Sequence, residues 1–289
     1  MKLNQNSQIK IVIVGLGLLG GSYARALKKK GYTVLAIEKK PESIAYALEN
    51  GIIDEGSTEI KAEYFDGASL AVFALYPHVL EEWIRNFSHL LPSGLVLTDV
   101  TGVKSGLVER IQSLLPQGVE YIAAHPMAGR EVGGVENSDE NIFLGANYIV
   151  VPTEKNSAEA IELSKELGKE LGFSNISVLS PQKHDEMIAF LSQLTHCIAV
   201  SLMCASSDPD LVRYTGDSFR DLTRIARIQE NLWSELFLCN KGYLLEEMDR
   251  FHESFLRLRE SIEKEDVESM KEMMRLSTAR RALFDRKGE

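Results

Sequence analysis

The chain has 289 residues, with 42 acidic against 32 basic side chains and a formal net charge of −10. Its length exceeds the roughly 100–200 residues of one domain, so two domains are expected. The acidic balance speaks against nonspecific nucleic-acid binding, which needs a cationic surface, but leaves room for a small anionic ligand held by a local arginine cluster.

In chain order, residues 10–14 form a β-branched run and 18–30 a helical pattern ending at Gly31. A second strand follows at 33–37 and a helix at 43–50, stopped by Gly51. An apolar run at 70–75 precedes a helical stretch at 78–91, and strands at 95–100 and 121–124 enclose a helix at 104–115. A strand at 147–151, a helix at 157–171 and a short strand at 176–179 complete the alternation. This alternation predicts an α/β fold, an N-terminal Rossmann-type, doubly wound and mainly parallel sheet covered on both faces.

After Ser180-Pro181 the pattern turns helical at 182–206, 218–263 and 265–281. The predicted division is residues 1–180 as the nucleotide domain and 181–289 as an all-helical substrate and dimerisation domain. Phe190, Leu191, Leu194, Ile198, Ala199 and Leu202 spread over more than one helical stripe. Such a helix packs against more than its own domain, which predicts a homodimer.

The first strand shows no leader-like features, since 11–14 runs straight into glycines. No apolar run is expected to reach the roughly 20 residues of a membrane span, so no membrane partner is expected. Cys197, Cys204 and Cys239 lack a CxxC spacing and fall in apolar-periodic segments. They are expected to be reduced core residues, with no disulfide or metal role, in a cytoplasmic protein.

Gly15-Leu16-Gly17-Leu18-Leu19-Gly20 follows a strand and opens a helix. In this pattern the first glycine makes the turn, the second admits a pyrophosphate and the third packs helix on sheet, with helix N–H groups facing the anion. Glu38, about twenty residues on, is placed to accept hydrogen bonds from an adenosine ribose and to repel a 2′-phosphate, so NAD is the expected cofactor. Lys39 and Lys40 soften that preference. Leu75, at the end of the third apolar run, and Thr101 complete the expected cofactor contacts.

His125, in His125-Pro126-Met127-Ala128-Gly129-Arg130-Glu131, follows an apolar run at the sheet edge where ligands bind in such folds, and is expected in an exposed loop. Its imidazole has the pKa range of a general base. His78, His89 and His252 read as surface residues. His184 and His196 stand twelve residues apart, roughly 120° around a helix, so they are not expected to face one ligand. His196 is the one expected in an interdomain cleft, and His184 a solvated first-turn residue. Arg220 and Arg224 are spaced to share a helix face, as are Asp217 and Asp221. They form either an i,i+4 charge ladder worth tenths of a kcal/mol or a guanidinium fork for a carboxylate with Asp221 as its holder.

Together with Asp99-Val100-Thr101-Gly102-Val103-Lys104, Ser192-Gln193-Leu194-Thr195-His196 and Phe219–Ala226 with Trp233, these motifs resemble the prephenate/arogenate dehydrogenases of tyrosine biosynthesis, from about residue 10 to residue 235. The resemblance implies oxidative decarboxylation of prephenate with NAD. His125 would take the ring-hydroxyl proton, Arg224 grip the side-chain carboxylate, and His196 line the substrate site. It further implies an ionic gate of Glu131, Asp221 and Arg224, with Arg220 and Trp233 near the entrance or the ring carboxylate. Gly102 departs from the family pattern, where a serine supports the catalytic histidine; Thr101, Ser105 or water are candidate replacements. Arg130 is unusual beside the histidine motif and either adds charge for a dianionic substrate or pairs with Glu131. Arogenate as substrate, or a non-catalytic NAD-sensing protein, remain the alternatives at this point.

Overall fold

The computed structural model describes residues 9–130 and 132–285. Strands β1 (Lys10–Val14), β2 (Thr33–Ile37), β3 (Glu55–Ser57), β4 (Ala68–Phe73), β5 (Val96–Asp99) and β6 (Glu120–Tyr121) pair in parallel in the order β3-β2-β1-β4-β5-β6. Between them run α1 (Leu18–Lys29), α2 (Pro41–Glu49), α3 (Pro77–Phe87) and α4 (Leu107–Leu114). In β1, Ile11 and Ile13 enter one buried core while Val12 and Val14 enter another. A strand covered on both faces has to be apolar throughout, which is why the run lacks polar alternation. The strand order reverses between β1 and β4, and the crevice outside such a switch point is where ligands bind in open α/β sheets.

The expected strand at 121–124 divides in two. β6 stops at Tyr121, and β7 (Ala123–Met127) joins β8 (Asn147–Val151) antiparallel and, through it, β9 (Asn175–Val178), with α5 (Ala158–Glu170) between the last two. His125 therefore lies inside a strand, opposite Ile149, rather than in an exposed loop after one. A side chain causes the switch: Asp99, ending β5, accepts the Ala124 N–H through Oδ1 at 3.1 Å, taking the place of a ladder carbonyl.

Ser180 caps a continuous helix through its side-chain oxygen. It runs as α6 (Pro181–Ile188), a π-helical turn (Ala189–Leu194) and α7 (Thr195–Cys204). Within this 24-residue helix an 18-residue stretch has a mean hydropathy of 1.7, so it is long and apolar enough to cross a membrane by length and composition, which corrects the expectation that no run approaches that size. The reason is that residues 187–204 contain no Asp, Glu, Lys or Arg. Next come α8 (Asp217–Thr223), a 3-10 turn (Arg224–Ala226) and α9 (Glu230–Cys239). The chain divides into a compact unit through Asn240 and a second from Lys241, the latter holding α10 (Lys241–Glu263) and α11 (Val267–Arg281). The helices through α9 thus belong to the same compact unit as the sheet.

All three cysteines are unbridged, but Cys204 and Cys239 are exposed and Cys197 is half-buried. Their expected place in the core is therefore corrected. Each lies on a helix with few buried positions in this chain.

Candidate active site

The glycine turn leaves a cradle that side chains would close. Gly15 has φ +95°, and a Cβ there would stand 2.6 Å from the Ala74 carbonyl oxygen and 2.9 Å from a Leu75 methyl. A Cβ on Gly20 would meet the Gly15 carbonyl oxygen at 1.9 Å, so α1 packs on the turn only as glycine. Gly17 faces open space, with nothing within 4 Å of its missing Cβ. Leu16, Leu18 and Leu19 flank it, the first two buried. Glu38 closes the rim: its carboxylate accepts the Leu16 N–H at 2.7 Å and the Lys40 N–H at 3.0 Å. A carboxylate offers about four lone-pair sites, so two remain for a sugar hydroxyl. An open glycine face at a helix N-terminus and an acid fixed at the end of β2 fit a dinucleotide.

Beyond the end of β5 lies a buried ionic cluster. Lys104, wholly buried, donates to Asp99 Oδ2 at 2.6 Å, to Thr101 Oγ1 at 3.0 Å and to the Ala124 carbonyl at 2.7 Å. Its three N–H donors are all satisfied, which a buried ammonium requires. Burial pushes the Lys104 pKa down, with Asp99 opposing. The Thr101 hydroxyl donates to Asp99, and its N–H binds the same carboxylate at 2.9 Å. Thr101 is thus turned into this cluster and does not substitute for the serine absent at position 102. The Ser105 hydroxyl is buried without a partner among the described residues.

His125 is reached from this cluster through Ala124, its neighbour in β7. Its Nδ1 lies 2.8 Å from His184 Nε2, and His184 Nδ1 lies 2.7 Å from Asp185 Oδ1. Asp185 is fixed in turn by the backbone N–H groups of Lys104 and Ser105, at 2.9 and 2.7 Å. His184 is therefore fully buried, not a solvated first-turn residue. The capped first turn of α6 points it inward, toward the sheet. Desolvation, followed by the neighbouring His184 and Lys104, holds the His125 pKa well below the ordinary imidazole value. At neutral pH the ring is an uncharged base. Its Nε2 lies 3.9 Å from where a Cβ on Gly102 would stand, and Leu236 methyls border the same spot at 3.6 and 3.7 Å.

Leu236 belongs to α9, which also carries Trp233 one turn earlier, on the same face. The His196 ring stacks on Trp233, with centroids 3.6 Å apart and planes 29° from parallel. His196 Nδ1 donates to the Ser192 carbonyl at 2.8 Å. The π-helical turn before His196 is locked to α9 by buried Gln193, which donates to the Leu236 carbonyl at 2.9 Å and accepts from Asn240 at 2.7 Å. α9 is tied to the sheet from outside as well: Glu235 accepts the His78 N–H at 2.7 Å, at the start of α3, and pairs with that ring at 2.6 Å. His78 is exposed, as expected, but bonded.

The arginines sit differently. α8 ends at Thr223, so Arg220 and Arg224 do not share one regular helix; Arg224 begins the 3-10 turn that packs on α7, the helix of His196. Both are exposed. Arg220 pairs with Asp217 at 3.3 Å across an exposed surface, a contact of small energetic weight. Asp221 is exposed on α8. Arg130 pairs with Asp139 at 2.8 Å. Glu131 lies outside the described residues. The sequence reading thus missed His184, Asp185 and the Asp99–Lys104 pair. The available signals were a His-Asp dipeptide just inside a Ser-Pro cap and a lysine five residues after a strand-ending aspartate.

Two family models cover most of the chain: "Prephenate dehydrogenase, nucleotide-binding domain" matches residues 23–176 and "Prephenate dehydrogenase, dimerization domain" residues 180–276. The prephenate dehydrogenase of Bacillus subtilis is 30% identical over 271 residues, spanning 90% of this chain and 72% of that protein. The cyclohexadienyl dehydrogenase of Zymomonas mobilis is 28% identical and spans 89% of each chain. Among solved structures, prephenate dehydrogenase from Aquifex aeolicus in complex with hydroxyphenyl propionate and NAD+ superimposes with a TM-score of 0.89 at 31% identity, covering 98% of this chain and all of that one.

Proposed function

The chain belongs to the prephenate dehydrogenase family, and from that premise we propose that it oxidises prephenate with NAD to 4-hydroxyphenylpyruvate and carbon dioxide, a step of tyrosine biosynthesis. NAD supplies the hydride acceptor. Gly15, Gly17 and Gly20 admit its pyrophosphate, and Glu38 takes its ribose hydroxyls while disfavouring a 2′-phosphate. His125 accepts the proton of the ring hydroxyl on Nε2. Arg224 binds the side-chain carboxylate, His196 and Trp233 form a wall of the substrate site, and Arg220, Arg130 and Asp221 shape its charged entrance. The observation that carries this reading is the placement of His125, with Nδ1 2.8 Å from His184 Nε2 and Nε2 toward the space beside Gly102.

The protein pairs with a second copy through its helical part, in the cytoplasm. Two observations support pairing: the dimerization-domain match and the apolar side chains left exposed on this segment, among them Val212, Tyr214, Leu222 and Leu238.

The test is spectrophotometric, with prephenate and arogenate each offered with NAD and NADP. NADH formation is expected from prephenate, with kcat/KM well above that for arogenate; no NADH from prephenate overturns the reading. His125→Asn is expected to cut kcat by about 10²–10⁴ while NAD affinity holds. Because the base must be neutral and its pKa lies below 6.5, kcat/KM should stay high as pH falls through 6.5 and drop only further down. An acid limb at or above 6.5 would show that His125 is not the group titrating.

A further inference from the structure

The overall reaction fixes what the base has to do. Prephenate (charge −2) and NAD (+1 at the ring) give 4-hydroxyphenylpyruvate (−1), carbon dioxide and NADH, so no proton is released. The hydroxyl proton leaves as the C–H electron pair goes to the nicotinamide and a ring carbonyl forms. The bond to the ring carboxylate then breaks, its electron pair aromatises the ring, and the carbonyl oxygen becomes the phenol by taking a proton. One proton is thus borrowed and returned within a turnover. A site that holds it away from solvent meets that need.

The hydrogen bonds around His125 specify how. The Asp185 carboxylate only accepts, so His184 Nδ1 must carry the hydrogen of that 2.7 Å contact. Neutral His184 then presents a lone pair on Nε2. The 2.8 Å contact to His125 Nδ1 is consequently donated by His125. That leaves the His125 lone pair on Nε2, the nitrogen facing the gap at Gly102. The second nitrogen of a histidine sets the tautomer of the first, and here the setting passes through two rings from one anchored carboxylate.

We propose that His184 and Asp185 form a two-residue extension of the catalytic base: Asp185 fixes the tautomer of both rings, and His184 shares the borrowed proton until it is returned. When His125 Nε2 takes the hydroxyl proton, the hydrogen on His125 Nδ1 can move along the 2.8 Å contact to His184 Nε2. The cation then rests on the ring that touches the carboxylate. Reversing both transfers delivers the proton to the phenol oxygen. The charged groups facing these rings are Asp185 on α6, Asp99 at the end of β5, and Lys104 beyond it. Lys104 disfavours a cation on either ring, Asp185 and Asp99 favour one on His184, and burial keeps His184 neutral at rest. His184 is a positioning and relay residue; it touches His125, not the substrate.

This inference rests on the proposed prephenate oxidation, and the experiment separates the two. Side-chain 15N NMR of the full-length protein without ligands reads the tautomers independently of turnover. His125 is expected with its hydrogen on Nδ1; a hydrogen on Nε2 overturns the proposal even if prephenate is oxidised. In Asp185→Ala the acceptor that fixes the hydrogen on His184 Nδ1 is gone, so His125 should no longer hold its hydrogen on Nδ1 alone and a share should appear on Nε2. Its kcat should fall by about 10²–10⁴, as when a triad acid is lost, while the NAD dissociation constant and prephenate KM stay within threefold. His184→Gln leaves an acceptor for His125 but cannot take a proton, and its kcat should fall about tenfold at unchanged KM. A kcat within threefold of wild type in Asp185→Ala, or an unshifted tautomer there, overturns the role of Asp185. A kcat within threefold in His184→Gln overturns the shared proton. Wild-type protein inert toward prephenate would instead reject the function while leaving the tautomers to be read.

Discussion

The two halves of the proposed active site are built to different standards of completeness within one chain. Around His125 the charged groups are held by several hydrogen bonds each: Lys104 has three acceptors, Asp99 bonds backbone and side chains alike, and Asp185 is held by two backbone N–H groups. Arg224 is exposed, and the helix before it breaks after Thr223. Proton transfer requires groups fixed to tenths of an ångström before substrate arrives. Carboxylate binding tolerates a surface that is completed afterwards, by substrate or by the proposed second copy. One half is buried and hydrogen-bonded throughout its charged groups, while the other lies at the exposed surface.

If that contrast holds, breaking the wired half should damage folding and chemistry together, whereas breaking the exposed half should damage binding alone. The largest effect is expected from Lys104→Met. Removing one member of a buried ion pair leaves Asp99 uncompensated at a cost of about 3–5 kcal/mol. It also frees the Ala124 carbonyl, which positions the strand carrying His125. Chemical denaturation should show a midpoint loss of that size together with a fall in kcat; a loss below about 1 kcal/mol would mean the cluster is not structural. Arg224→Ala should leave stability nearly unchanged and raise the prephenate KM about 10–100-fold, the range for one hydrogen bond to a charged group. An unchanged KM would remove Arg224 from the carboxylate site.

The same contrast explains what the sequence revealed. The glycine fingerprint and Glu38 were legible because each residue acts through local geometry: a turn, a helix start, a strand end. His125 was legible as a histidine at a strand's end, but its place inside β7 was not. The switch from one sheet to the next depends on Asp99 reaching a backbone N–H 25 residues away. His184 was misread because helical phase says which residues share a face and not which way that face points. Here the Ser180 cap turns it into the sheet. Arg220 and Arg224 had the spacing of a helical pair, but α8 ends at Thr223 and the chain tightens to a 3-10 turn from Arg224. Spacing arguments hold only while the helix does.

The mildest expected effect tests how complete the wired half is. Gly102 is where the family resemblance expects a serine, and the space a Cβ would enter is ordinary van der Waals contact: 3.6 and 3.7 Å to Leu236 methyls and 3.9 Å to His125 Nε2. Gly102→Ser should therefore fold without loss. Its hydroxyl would hang from that Cβ beside the nitrogen that receives the proton. A net hydrogen bond is worth about 0.5–1.5 kcal/mol, so kcat/KM should rise by no more than about tenfold. Thr101 cannot already supply this contact, because its hydroxyl is committed to Asp99. A fall in kcat/KM with unchanged stability would show instead that the gap at Gly102 is substrate space, and that the relay behind His125 already supplies what the missing hydroxyl would have given.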